Sequence, residues 1–103
     1  MSVYMVVEIE VTDKDAYAGY RTAAQSVLAA LGERGRIIIR GGKDGTGKTE
    51  SLEGGWMPER FVVVEFKDMA TARGFYDSRE YQQALKIRQA SSRSKAFFVE
   101  GEP

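Results

Sequence analysis

The stretch Gly42-Lys43-Asp44-Gly45-Thr46-Gly47-Lys48-Thr49, GKDGTGKT, satisfies G-x-x-x-x-G-K-[ST] letter for letter, and its reading decides the fold. A phosphate-binding loop needs a strand before it and a helix starting at its end, because the helix N-terminus supplies N–H groups and a positive dipole. The upstream half of that context is present. Gly35 to Gly42, GRIIIRGG, is a β-branched run bounded by glycines and predicts a strand. The downstream half is not: Glu50 to Pro58 reads ESLEGGWMP, and two adjacent glycines followed by a proline do not sustain a helix. The motif therefore reads as a loop between antiparallel strands, and Lys43 and Lys48 as solvated charges.

Working outward, Arg60 to Asp68, RFVVVEFKD, predicts the next strand, with Phe61, Val63 and Glu65 on one face and Val62, Val64 and Phe66 on the other. Asp68 is placed to cap a helix whose inner stripe is Met69, Ala72, Phe75 and Tyr76. Ser78 offers a fresh cap, with Glu80 in the first turn and Tyr81, Ala84, Leu85 and Arg88 on one face of a further helix. Ser94 to Gly101 predicts a last strand. On the upstream side, Val3 to Thr12 alternates strictly, with Val3, Met5, Val7, Ile9 and Val11 together and Tyr4, Val6, Glu8 and Glu10 opposite. Thr12 or Asp13 then caps a helix carrying Tyr17, Tyr20, Ala24, Val27, Leu28 and Leu31, ended by Gly32 or Gly35. The order is β-α-β-β-α-β with the second helix divided. That predicts an α+β, ferredoxin-like fold: an antiparallel four-stranded sheet with its helices on one face.

A chain of 103 residues is expected to form one domain, residues 1–103. Fifteen Lys plus Arg balance fifteen Asp plus Glu, so no broad positive field points to nucleic acid. No apolar run is long enough to span a membrane and the N-terminus lacks a signal-peptide pattern, so the expected location is cytoplasmic. His and Cys are absent, which removes imidazole bases, thiolate nucleophiles, disulfides and the ordinary ligands for zinc or haem. No metal or cofactor is expected.

The series AYAGYR (16–21), RGG (40–42), LEGGW-x-PER-FVVVEF (52–66), FYDSREYQ-x-ALKIR (75–88) and FFVEG (97–101) resembles the bacterial domain-of-unknown-function family 1330. The resemblance runs from Tyr4 to Gly101 and implies a dimeric α+β barrel with no established reaction. In this sequence the loop after RGG is longer than the family pattern, and Arg79 stands where a Pro is expected.

Helices on one side leave the other sheet face bare, and Tyr4, Val6, Phe61, Val63 and one or two of Phe97, Phe98 and Val99 make it too apolar for open solvent. A homodimer through that open face is the simplest expectation. Glu8 and Glu65 lie on the same side, with Arg36 and Arg40 expected on a shared face of the second strand. These carboxylates are either structural ion pairs or, unpaired in an apolar cleft, bases with a raised pKa. Trp56, Pro58 and Arg60 form a second cluster, either lidding a cleft or plugging a core edge. The tyrosines at helical spacing read as core or interface residues with hydroxyls reaching the surface, and Tyr81 as one able to orient a ligand. Arg88 is expected to face a carboxylate or an anionic ligand. Three functions follow: a small-molecule-binding dimer, in which Arg40, Trp56, Arg60, Tyr81 and Arg88 contribute to the ligand site; a cofactor-free isomerase, lyase or oxygenase with Glu8 or Glu65 as base and Arg40 or Arg60 holding an anion; or a structural dimerisation domain. A cleft near the ~300 Å³ of ordinary ligand sites would favour the first two.

Overall fold

A computed structural model describes residues 1–103. Four strands, β1 (Val3–Val11), β2 (Gly35–Gly41), β3 (Arg60–Phe66) and β4 (Ser92–Glu100), form one antiparallel sheet in the order β2-β3-β1-β4. Helix α1 (Lys14–Ala29) follows β1, and α2 (Met69–Asp77) and α3 (Arg79–Ser91) follow β3. A single 3₁₀ turn, Gly32–Arg34, closes the approach to β2; α1 itself stops at Ala29, and Gly32 takes φ +59° just beyond it. This is the ferredoxin-like arrangement.

Local chemistry sets the element boundaries. Asp13 accepts from the Ala16 N–H and Asp68 from the Thr71 N–H (2.7 Å), each satisfying a donor that the first helical turn cannot use internally. Ser78 serves two helices at once: its hydroxyl donates to the Phe75 carbonyl at the end of α2 (2.8 Å) and accepts from the Tyr81 N–H at the start of α3 (3.1 Å). The division at Asp77–Ser78 is therefore a designed stop.

Val3, Met5, Val7 and Ile9 of β1 are buried with Val64, Phe66, Tyr17, Tyr20, Ala72, Phe75, Tyr81, Ala84 and Leu85 in one core between sheet and helices. Met69, expected on the inner stripe of α2, is instead exposed, because it sits in the first turn before the helix reaches the sheet. Phe98 packs edge-on against Phe66 and Tyr76 in the core. Phe97 and Val99, opposite Val6 and Tyr4, stand on the bare face, where Phe97 is 59 % exposed.

The β2–β3 ladder pairs Arg36 with Glu65 and Ile37 with Val64, then jumps to Ile39 with Val63 and Arg40 with Val62. One extra residue, Ile38, is inserted as a β-bulge, and every side chain after it changes face. Arg36 and Arg40 therefore do not share a face: Arg36 stays with Glu65 on the bare side, and Arg40 turns toward the helices.

The segment 42–59 contains no helix. Five of its backbone donors are used internally: Lys43 N–H to the Pro58 carbonyl, Asp44 N–H to Glu59, Gly45 N–H to Gly42, Gly47 N–H to Arg40, and Gly42 N–H to the Thr49 hydroxyl. That hydroxyl in turn donates to the Gly47 carbonyl, and Lys48 pairs with Glu50 at the surface. With those five donors engaged and no helix following, the motif closes a loop between two antiparallel strands.

Candidate functional site

One layer of helices must cover four strands, and α1 leans chiefly on α3. The β2–β3 half of the sheet is left less covered, and a cleft of about 140 Å³ opens there beneath α1. Its floor is apolar, built from Met5, Val7, Ile9, Val62, Val64 and Ile37. Its α1 wall carries Tyr17, Tyr20, Arg21, Ala24 and Leu28, and its mouth is rimmed by Arg40, Gly41, Asp44, Gly45 and Thr46. The loop that mimics a phosphate motif is thus the rim of a different site. At this size the cleft falls below the ~300 Å³ of common ligand sites and near the ~150 Å³ of a cavity that holds one benzene.

The polar groups at the inner end are mostly donors. Arg88 is only 3 % exposed, and its Nη1 donates to the hydroxyls of Tyr20 (3.3 Å) and Tyr81 (3.2 Å), which lie 2.9 Å from each other. Its guanidinium also lies over the Tyr20 ring. No carboxylate lies within ion-pair distance of Arg88, contrary to the sequence expectation, and its Nε is buried without a partner. Arg60 stacks over the Tyr17 ring at 5.3 Å, and its Nε is likewise buried and unpaired. Burial pushes the phenols of Tyr17 and Tyr81 above the usual tyrosine range, so both remain neutral donors at physiological pH. Burial alone pulls the Arg88 guanidinium down; the oxygens of Tyr81 and Tyr20 more than offset this, and the group stays a cation.

Of the residues singled out in the sequence, Arg40, Arg60 and Tyr81 line this cleft, and Arg88 stands behind it through Tyr20 and Tyr81. The sequence assigns Tyr17 and Tyr20 to the core or an interface and gives Arg21 no role of its own. Their spacing at i, i+3 and i+4 in AYAGYR already places them on one helix face, and that was the available signal. The hydroxyls of Tyr20 and Tyr81 meet inside the protein and do not reach the surface.

Glu8 and Glu65 stand on the other side of the sheet. Glu65 accepts from Arg36 Nε and from the Tyr4 hydroxyl, both at 3.2 Å, and Glu8 lies 3.7 Å from the Lys95 ammonium. Glu8 pairs in register with Phe61 and Glu65 with Tyr4, four residues away, which separates the two carboxylates by roughly 13 Å along the strands. They do not form one acid–base couple. Trp56 is 61 % exposed and borders a polar groove with Glu8, Lys43, Arg93 and Lys95, away from the α1 cleft.

Among curated proteins none matches the chain. Solved structures with the same fold include a protein of unknown function from Rhodopseudomonas palustris (17% identity, TM-score 0.73, covering 99% of this chain and 83% of that one). A dimeric ferredoxin-like protein of unknown function from Jannaschia sp. CCS1 is 16% identical, with TM-score 0.72 over 98% of this chain and 100% of that one. SnoaB, a cofactor-independent oxygenase from Streptomyces nogalater, is 10% identical, with TM-score 0.63 over 99% and 94%. At these identities the likeness is one of fold. The family model for a domain of unknown function, DUF1330, matches residues 2–102, and the chain belongs to that family.

Proposed function

We propose that this DUF1330 protein is a homodimeric small-molecule-binding domain: two copies pair through their bare sheet faces, and each binds a compact ligand in the cleft beneath α1. The observation that carries the reading is the cleft itself, apolar below, with Arg40 at its mouth and Arg60 at its inner end, and small enough to select by shape. The dimer is supported by the exposed Ile39, Phe97 and Val99 on the bare face, and by the dimeric state of the Jannaschia protein. On this reading Glu8 and Glu65, each with its cation, are ion pairs flanking the dimer seam. A proton-abstracting role for either is the less favoured alternative, because each carboxylate already has a cationic partner and faces away from the cleft.

A thermal-shift screen of compact aromatic and branched metabolites, run on the wild type and on Ala24→Phe, tests the binding site. Ala24 is half-buried on the α1 wall, and a larger side chain there fills the cleft. A compound at about 100 times its Kd raises the wild-type Tm by roughly 10 °C or more and leaves the variant unmoved. An equal shift in both proteins would place the ligand elsewhere.

A further inference from the structure

Resting on that reading of the cleft, we propose that its ligand is a compact monocarboxylate of benzoate size, with its oxygens toward Arg60 and the tyrosine pair and its hydrocarbon body on the β1–β3 floor. Proton counting carries the inference. Arg88 only donates, and it donates to both phenol oxygens. One of Tyr20 and Tyr81 donates to the other, which leaves one phenol O–H without an acceptor in the protein. Arg60 Nε–H is buried and has no acceptor either. The inner cleft therefore holds an excess of donors and two cations, Arg60 and Arg88, with no carboxylate paired to either.

Buried donors without acceptors are costly, and a buried guanidinium without a counter-charge more so. The missing partner must bring acceptor oxygens and negative charge. Asp44, the one acidic residue of the lining, sits exposed on the loop at the mouth beside Arg40, so the excess of positive charge that calls for a counter-charge lies at the inner end. The volume of about 140 Å³ limits the body to about one ring. A phosphate ester with a bulky carrier exceeds the size of the site.

Isothermal titration of wild-type protein with benzoate, and with neutral benzamide and toluene as shape controls, tests the assignment. Benzoate is expected to bind about tenfold or more tightly than benzamide, and Arg60→Gln to erase that preference. Arg60→Met, which keeps the apolar stem, and Tyr20→Phe, which removes one phenol, separate loss of charge recognition from loss of folding, read by circular dichroism. Tyr20→Phe should retain the fold and weaken benzoate more than toluene. If benzamide or toluene binds as well as benzoate, the carboxylate assignment falls and the cleft reading stands. If no compound binds, both fall, and equal benzoate affinity in wild type and both Arg60 variants also overturns the assignment.

Discussion

A guanidinium that is 3 % exposed, with two phenols and no carboxylate around it, is an expensive arrangement to keep. If Arg88 served packing alone, an apolar side chain of similar length would do the same work without the desolvation cost. Arg88→Met is therefore expected to be at least as stable as wild type, by up to ~2 kcal/mol in urea unfolding, and to lose carboxylate binding. A variant that is both strongly destabilised and still binding would assign Arg88 a structural role. At this scale the sequence was partly legible. Arg40, Arg60, Tyr81 and Arg88 stand out by residue type and position, but the face of Arg40 depends on the bulge at Ile38, and isoleucine forms strand as readily at a bulge as in a regular ladder. Whether Arg88 meets an acid or a phenol depends on how α1 and α3 cross, which no local pattern records.

Elements were more legible than contacts, because each rests on a short-range signal: alternation in β1, Asp13 and Asp68 as caps, Ser78 as a divider, and glycines with a proline after GKDGTGKT. The loop from 42 to 59 illustrates why position matters among glycines. Gly42 has φ +96°, and a Cβ there would lie 2.7 Å from the Glu59 carbonyl oxygen and 2.8 Å from that of Pro58. Gly54 also has positive φ, at +76°, but open space around it. Gly42→Ala is expected to cost more than ~2 kcal/mol, and Gly54→Ala about 1 kcal/mol, in thermal or urea unfolding. Equal costs would show that the rim of the cleft is not held by the Gly42 crossing.

For the whole molecule, the proposed dimer rests on the bare sheet face. Phe97 is 59 % exposed at mid-length of the edge strand β4, beside Val6, in register on the neighbouring strand. Phe97→Glu is expected to halve the mass seen by sedimentation equilibrium while leaving the far-ultraviolet spectrum of the monomer intact, because a charge in an apolar twofold seam meets its own copy. A two-chain mass in that variant would move the interface to another face. The sheet also has a consequence in time. Strand β1 is central, hydrogen-bonded to β3 on one side and β4 on the other, so the strand of this sheet that is made before the other three pairs with segments 60–66 and 92–100. At synthesis rates of about 5 to 20 residues per second, its apolar face waits roughly 5 to 20 s for its second partner. Exposure to aggregation during translation is therefore concentrated in the nine residues of β1, made before either of their partners.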